Sequence, residues 1–167
     1  MNPDILVEFY RRYYKEIYLY LFAMCKNIEL TEDLLQETFL RALISLPDTA
    51  PSTRAWLYTV ARNLYFDKQR NDRHFAQNLS VQTMQDQLSP EPYERILQSE
   101  KSRLLYQALL QLDERKREIL QLQYFGGMKQ SEIASLLKIK PNHVRVLALR
   151  ARREIRLWME ENGYEIS

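Results

Sequence analysis

Apolar residues recur at helical spacing along nearly the whole chain, and this periodicity constrains the fold more than any other feature. Residues three and four positions apart share one face of an α-helix, whereas successive side chains of a β-strand alternate between two faces. The first predicted helix has an inward stripe of six residues: Phe9, Tyr13, Ile17, Tyr20, Leu21 and Met24. Strand-like alternation is absent, and the 167 residues include only three glycines. The sequence therefore predicts an all-α fold.

Breaks in the periodicity divide the chain into helices and into two domains. After the first helix we expect a second from Thr31 to near Pro47 and a third from about Arg54 to Arg70. Residues 74–93 are rich in Gln, Asn and Ser, contain two prolines and offer little apolar surface, which is typical of an extended linker. We therefore predict two small helical domains, 1–73 and 94–167, joined by a flexible linker at 74–93.

The second predicted domain ends in a pair of helices with helix-turn-helix form. Asp113 caps a longer helix that ends at Gly126-Gly127, and the pair follows at about 130–138 and 141–159. The packed face of the last helix is predicted to comprise Val144, Leu147, Ala148, Ala151 and Ile155. The opposite face comprises Asn142, Arg145, Val146, Leu149 and Arg153, flanked by His143, Arg150 and Arg152. Such a helix can enter a DNA major groove. A plain helical hairpin with a solvated basic side is the alternative.

The charge distribution favours a polyanionic partner for the second domain. The net charge of the whole chain is only +2. Residues 101–167 hold thirteen basic and eight acidic side chains, a net of +5, whereas residues 71–100 hold two basic and five acidic, a net of −3. The basic end attracts a polyanion and the acidic middle does not. Chance variation is the alternative explanation, because the excess is modest.

The composition offers little for catalysis, metal binding or a membrane. Cys25 is the only cysteine and there are two histidines, so we expect neither an internal disulfide nor a structural zinc site. No glycine-rich phosphate loop and no recognisable Ser-His or Cys-His arrangement occurs. No apolar run approaches the roughly 18–20 residues of a membrane span, and no signal peptide is recognisable. We therefore expect a cytoplasmic protein that is not an enzyme and uses no cofactor or metal.

Two predicted helices of the first domain have outer faces that are unusual for solvent. The third helix has an inner face of Trp56, Leu57, Val60, Ala61 and Leu64. Its other face comprises Tyr58, Arg62, Tyr65, Phe66 and Gln69. Aromatic rings beside cations suit unpaired bases, because bases stack on the rings and phosphates pair with the cations. A helix buried on both sides is the alternative that periodicity leaves open.

The second helix combines an inner face with a mixed outer stripe. The inner face comprises Leu35, Phe39, Ala42, Leu43 and Leu46. The outer stripe comprises Asp33, Glu37, Leu40, Arg41 and Ile44. Two large aliphatic residues among charges suggest a docking surface for a partner protein. Cover by another segment of the same chain explains them equally well.

Three segments together resemble conserved regions of bacterial sigma factors. Residues 32–42, EDLLQETFLRA, resemble region 2.2. Residues 56–63 and 64–70 resemble regions 2.3 and 2.4. Residues 112–120, LDERKREIL, followed by YFGGM and the helix pair, resemble region 4. Two domains without an intervening region 3 are similar to the extracytoplasmic-function (ECF) class.

The resemblance implies a sigma factor that binds core RNA polymerase and directs promoter-specific initiation. Residues implied to dock on the polymerase are Asp33, Gln36, Glu37, Leu40, Arg41 and Ile44. Residues implied to open and hold the −10 element are Tyr58, Arg62, Asn63, Tyr65, Phe66, Lys68, Gln69 and Arg70. Residues implied to read the −35 element as duplex are Lys129, Lys140, Asn142, His143, Arg145, Val146, Leu149, Arg150 and Arg153.

The resemblance also implies partners, and it leaves rival functions to be excluded. The implied partners are core RNA polymerase, through its β′ clamp helices and β flap, promoter DNA, and an anti-sigma factor. No direct membrane insertion is expected. One rival is a helix-turn-helix repressor or activator that acts without polymerase docking, which leaves the aromatic face around Tyr58 unexplained. Another is a protein-binding helical adaptor, which leaves the arginines of the last helix unexplained.

The helix pair departs from the usual family pattern in its turn and its caps. Lys138 stands where the turn glycine is usual, Lys140 where a serine caps the second helix, and Lys129 where serine begins the first. Loss of a serine cap costs about 1 kcal/mol. We therefore hypothesise that Lys129 and Lys140 contact DNA phosphates instead. Val146 and Leu149 favour contact with thymine methyl groups, so the −35 sequence is expected to differ from the common one.

Overall fold

The protein folds into two compact helical units, Met1–Pro92 and Tyr93–Ser167. The structure, a computed structural model, describes residues 3–46, 52–76 and 93–164. These residues form helices and connecting turns without any β-strand, which confirms the all-α prediction. No helix within the described ranges is long and apolar enough to cross a membrane.

The described residues of the N-terminal unit, 3–46 and 52–76, form three mutually packed helices. They are α1 (Pro3–Cys25), α2 (Ile28–Ser45) and α3 (Thr53–Ala76), and each packs against the other two. The largest fully buried side chains are Ile17, Tyr20, Leu21, Leu57 and Tyr58. Burying one such apolar side chain stabilises the fold by roughly 1.5–3 kcal/mol. An ion pair also joins α1 to α3, because Arg54 Nε donates to Glu16 Oε1 over 2.7 Å.

The second helix begins earlier than the sequence predicted. Asn27 is its N-cap: the Asn27 Oδ1 accepts a hydrogen bond from the Leu30 amide over 2.9 Å. Thr31 is instead fully buried inside the helix, and its hydroxyl donates to the Asn27 carbonyl over 2.7 Å. The prediction of a start at Thr31 is therefore wrong by three residues. Asparagine and threonine both suit caps, and the spacing alone does not separate them.

The predicted linker is too wide at both edges. The third helix continues through Ala76, so residues 74–76 are helical. At the other edge Tyr93 starts a short helix, and its buried ring lies 4.8 Å from the Tyr106 ring. Tyr93 thus belongs to the core of the second unit. Residues 77–92 of the predicted linker lie outside the described residues.

Residues 93–164 of the C-terminal unit form five helices and one π-helical turn. They are α4 (Tyr93–Ile96), α5 (Glu100–Gln111), α6 (Glu114–Leu120), the π-helical turn (Gln121–Phe125), α7 (Gln130–Leu137) and α8 (Pro141–Glu161). Asp113 caps α6 as predicted, with its Oδ1 accepting from the Lys116 amide over 2.9 Å. The core side chains Ile119, Leu122, Ile133 and Val144 are at most 1% exposed.

Gly126 ends the π-helical turn for a steric reason. A Cβ at this position would lie 2.7 Å from the Leu122 carbonyl oxygen, closer than non-bonded atoms approach. Gly127 follows with a φ of +66°, in the left-handed region that favours glycine. The backbone therefore excludes a Cβ at Gly126 and favours glycine at Gly127, which confirms the predicted helix end.

Candidate functional site

The turn between α7 and α8 is held by main-chain and side-chain hydrogen bonds. The Ile139 amide donates to the Ala134 carbonyl over 3.0 Å, and Gln130 Nε2 donates to the Pro141 carbonyl over 2.8 Å. Lys138, at the end of α7, has a φ of 58° and a ψ of 45°. This left-handed conformation explains why glycine is the usual residue in such a turn. The two helices therefore form a fixed helix-turn-helix unit.

One side of α8 packs on the core and leaves the basic side exposed. Its buried residues are Val144, Ala148, Ala151 and Met159. Leu147 and Ile155, which the sequence placed in the packed face, are only half-buried, and Met159 was missed. Of the predicted −35 residues, Val146 is half-buried and the others are exposed: Lys129, Lys140, Asn142, His143, Arg145, Leu149, Arg150 and Arg153.

Neither helix of the pair has a complete side-chain cap at its N-terminus. Lys129 and Lys140 occupy the N-cap positions of α7 and α8, and their ammonium groups cannot accept a hydrogen bond. Only the reverse half of a capping box is present: Glu132 Oε1 accepts from the Lys129 amide over 3.0 Å. Two exposed helix N-termini with adjacent cations are thus directed to solvent, and both features attract phosphate.

Further contacts fix the two flanks of α8. On one flank, Lys116 Nζ lies 2.7 Å from Glu154 Oε1 and 3.3 Å from Asp113 Oδ2. These carboxylates, Glu154 first, raise the pKa of Lys116. On the other flank, Arg152 Nη1 donates to the Tyr124 hydroxyl over 2.9 Å. Sequence reasoning did not select Tyr124, which is 56% exposed, because it was assigned only to the end of a core helix.

The structure corrects the predicted aromatic face of α3. Tyr58 is 1% exposed, and its ring lies 4.8 Å from the Tyr20 ring. Burial, together with the nearby Glu16 carboxylate, raises the pKa of the Tyr58 hydroxyl. Tyr65 is 9% exposed, and its hydroxyl donates to the Met24 carbonyl over 3.2 Å. The prediction that both rings line an outer face is therefore wrong. The physical reason is that both α1 and α2 pack on α3. The buried side of α3 therefore includes these two tyrosines, which the helical spacing alone placed on the outer face.

The rest of that face stays accessible. The Arg62 guanidinium lies over the Phe66 ring at 4.6 Å, and both side chains are half-buried. Asn63, Lys68 and Arg70 are exposed and Gln69 is half-buried. Lys68 pairs with Asp72 over 3.4 Å, and Arg70 pairs with Asp67. Of the three rings predicted to line this face, Tyr58 and Tyr65 are buried, and Phe66, beneath the Arg62 guanidinium, remains accessible.

The predicted docking stripe on α2 is exposed. Ile44 is 81% and Leu40 53% exposed, although both are large aliphatic residues. Asp33, Gln36 and Arg41 are exposed, and Glu37 is half-buried with its Oε1 3.3 Å from Arg41 Nε. Leu43, predicted to face inward, is 36% exposed. It lines a groove of about 710 Å³ between α1 and α2 together with Val7, Tyr10, Tyr14, Phe39 and Leu40.

Comparison with known families assigns both units. A family model described as Sigma-70 region 2 matches residues 9–75, and one described as Sigma-70, region 4 matches residues 102–155. The two matches together span well over half of the chain and occur in the order that the sequence predicted. The chain belongs to the sigma-70 family. The resemblance identified from residues 32–42, 56–70 and 112–128 is thereby confirmed.

The relatives of this sigma factor place it in the ECF class. RNA polymerase sigma factor YlaC of Bacillus subtilis is 34% identical over 98% of this chain and 97% of its own length. The ECF RNA polymerase sigma factor SigM of the same organism is 30% identical over 89% of this chain and 91% of its own length. Among solved structures, the sigma factor RpoE in complex with the anti-sigma factor NepR from Bartonella quintana has the same fold. It shows a TM-score of 0.68 at 18% identity over 92% of this chain and 95% of that chain.

The family regions coincide with the structural features of this sigma factor. Region 2 comprises α1, α2 and α3, and carries the exposed stripe around Ile44 and the Arg62–Phe66 pair. Region 4 begins in α5 and includes the helix-turn-helix unit with its exposed basic side. The lysines at 129, 138 and 140 that depart from the usual pattern therefore lie in the turn and caps of region 4.

Proposed function

We propose that this sigma factor binds core RNA polymerase and directs it to a small promoter set, opening the −10 element with region 2 and reading the −35 element with region 4. The exposed basic side of α8, presented by a fixed helix-turn-helix unit, is the observation that carries the proposal. The polymerase carries out RNA synthesis, so the chain acts as a binding factor and not as an enzyme. It acts in the cytoplasm, where the polymerase works.

Region 4 reads duplex DNA through α8. The exposed side chains between Asn142 and Leu149 are offered to base edges, because the first turns of a recognition helix lie deepest in the groove. The later residues Arg150 and Arg153 are offered to phosphates. Lys129 and Lys140 add phosphate contacts at the two helix N-termini, where neither lysine side chain can accept a capping hydrogen bond. A Lys140→Ser variant tests the second point: one lost phosphate contact lowers the slope of log affinity against log salt by roughly 0.9. An unchanged slope refutes that contact.

Region 2 opens the −10 element with a smaller residue set than the sequence implied. Arg62, Asn63 and Phe66 form an accessible stacking and pairing surface, and the following Lys68, Gln69 and Arg70 are placed to meet the backbone or bases. Tyr58 and Tyr65 support this surface from inside the bundle. A single ring stacked on a base contributes roughly 1–3 kcal/mol. We therefore assign the stacking role to Phe66.

The α2 stripe docks on the β′ clamp helices, and region 4 contacts the β flap. The support for the first contact is the exposure of Ile44 and Leu40 among charged neighbours, which is typical of an interface core with a polar rim. An anti-sigma factor regulates the chain by binding it, as NepR binds RpoE in the Bartonella quintana complex. An anti-sigma factor that covers the docking stripe on α2 would prevent the chain from binding the polymerase.

A promoter library transcribed with purified core polymerase tests the function. Addition of the full chain is expected to give promoter-specific transcripts. Ile44→Asp is expected to abolish them by preventing polymerase binding, since this side chain is 81% exposed and contributes little to folding. Glu29→Asp, an exposed position at the start of the same helix and outside the stripe, is the matched control.

The rival functions predict different results in the same assay. A repressor or an activator without polymerase docking would bind DNA and give no transcripts with core polymerase alone. A protein-binding adaptor would bind no promoter. Either result, obtained with the unchanged chain, would overturn the proposal.

A further inference from the structure

The first two turns of α8 present a hydrogen-bonded pair of exposed side chains, Asn142 and Arg145. Arg145 Nε donates to Asn142 Oδ1 over 3.2 Å, and Arg145 Nη2 donates to the same oxygen over 3.0 Å. The two residues are three positions apart, so their side chains lie on the same face of the helix. One amide oxygen thus holds one edge of the guanidinium group in a fixed direction.

The hydrogen-bonding capacity of this pair determines what it can still bind. An amide oxygen has two lone pairs, and Arg145 occupies both. The guanidinium group has five N–H donors in one plane, of which Asn142 takes the Nε–H and the adjacent Nη2–H. One N–H of Nη1 and the second N–H of Nη2 remain side by side at the end of the fork. Two parallel donors of this kind match O6 and N7 of guanine in the major groove.

We propose that Asn142 is a positioning residue that fixes Arg145 for bidentate recognition of one guanine in the −35 element. The inference rests on the proposed function, in which α8 enters the major groove. It assigns to Asn142 a role other than the usual one of asparagine on a recognition helix. Bidentate contact with adenine needs the amide oxygen as an acceptor for N6, and in this pair that oxygen is already occupied.

The helix that carries the pair is rigid at this position. The Gln130 side chain binds the Pro141 carbonyl at the first residue of α8, and Val144 and Ala148 are 1% and 3% exposed against the core. A fork that is already ordered loses less side-chain entropy when it binds than a mobile arginine does. The pair therefore increases the preference for guanine without adding a contact of its own to the DNA.

Selection of −35 sequences by the full chain with core polymerase tests this role. The unchanged chain is expected to prefer guanine at one position by roughly 5- to 150-fold over other bases. Arg145→Ala is expected to remove that preference, and Asn142→Ala to weaken it roughly two- to tenfold at the same position. Asn142→Asp is expected to retain the preference, because a carboxylate accepts the same two N–H groups.

Two controls separate positioning from other effects. Asn142→Ala is expected to leave the salt dependence of binding unchanged, because no phosphate contact is lost. Glu160→Ala breaks a similar exposed pair on the same helix, with Arg156 Nε 3.2 Å from Glu160 Oε1, and is expected to leave the guanine preference intact. Far-ultraviolet circular dichroism of each variant checks that the helical fold is retained.

Several results would overturn the inference. One is an unchanged guanine preference in Asn142→Ala, and another is a preference for adenine in the unchanged chain that disappears in this variant. The third is an Arg145→Ala variant whose binding depends less on salt but whose base preference is unchanged. Each of these results, seen with normal promoter selection by the unchanged chain, leaves the sigma function standing and refutes only the positioning role. Failure of the unchanged chain to select any −35 sequence refutes the proposed function as well.

Discussion

Replacement of Lys138 by glycine is expected to stabilise the C-terminal unit. Lys138 adopts a φ of 58° and a ψ of 45°, a left-handed conformation that costs a residue with a Cβ roughly 1–2 kcal/mol. Glycine removes this cost, but it also makes the unfolded chain more flexible, which lowers the free energy of unfolding by about 0.5–1 kcal/mol. The net gain for Lys138→Gly is therefore about 0.5–1 kcal/mol. For a domain of this size we expect the melting temperature to rise by roughly 2–8 °C.

The two tryptophans of the chain make this gain measurable in one unit. Trp56 lies in the N-terminal unit and Trp158 in the C-terminal unit. In a Trp56→Phe background, the fluorescence of Trp158 during thermal and urea unfolding of the full chain reports on the C-terminal unit. An unchanged urea m-value would show that the midpoint shift reflects stability and not a change in the unfolded state.

Lys138→Ala is the matched control for the charge of the side chain. It removes the ammonium group but keeps the Cβ, so it is expected to retain the backbone strain and to give no comparable gain. If alanine stabilises the unit as much as glycine does, relief of charge repulsion and not of strain is the cause. If glycine lowers the melting temperature, the reasoning from the left-handed conformation is refuted.

Four further predictions concern single groups. The hydrogen bond from the Lys116 amide lowers the pKa of the Asp113 carboxyl. The stability from this cap is therefore present above the ordinary carboxyl pKa of about 4 and is lost as the pH falls through the lowered folded value. By urea unfolding, Asp113→Ala should cost about 1 kcal/mol at pH 7 and less at pH 2. Tyr65→Phe should lower the free energy of unfolding by about 0.5–1.5 kcal/mol, because the hydrogen bond to the Met24 carbonyl is lost. Phe66→Ala should impair promoter opening more than duplex binding. An equal loss of activity on a pre-melted template would contradict the stacking role of Phe66. Burial raises the pKa of the Cys25 thiol to about 12, so its alkylation at pH 8 should be on the order of 10²–10³-fold slower than that of an exposed thiol, with mass spectrometry as the readout.

The helical architecture follows from local sequence signals, which is why it was predictable. Asp113 and Gly126 act within one or two helical turns, and the structure shows each in the expected place. The stripe from Asp33 to Ile44 was recognisable as an unusual outer face, because large aliphatic residues stood opposite an already sufficient apolar face. Whether this stripe is exposed or covered by another segment of the same chain was decided only by the three-dimensional structure.

The rotation of α3 was not predictable from periodicity. Tyrosine has an apolar ring and a polar hydroxyl, so hydropathy does not decide whether Tyr58 and Tyr65 face inward. Their burial depends on partners distant in sequence: Glu16 and Tyr20 for the first, the Met24 carbonyl for the second. The Asn142–Arg145 pair, in contrast, has an i, i+3 spacing that sequence reasoning could have recognised as a local contact.

The π-helical turn at Gln121–Phe125 has a consequence for how this region tolerates changes in length. A π turn is equivalent to an α-helix with one inserted residue. A one-residue deletion in a regular α-helix rotates everything before it relative to everything after it by about 100°. Deletion of one residue within the π turn would instead restore α-helical winding and leave the flanking segments nearly in register, because the π turn already accommodates one extra residue. The change would be confined to the turn itself, where it would disturb the Tyr124–Arg152 hydrogen bond and the close approach of Gly126 to the Leu122 carbonyl. Loss of one residue is thus expected to be tolerated better here than in the flanking α-helices.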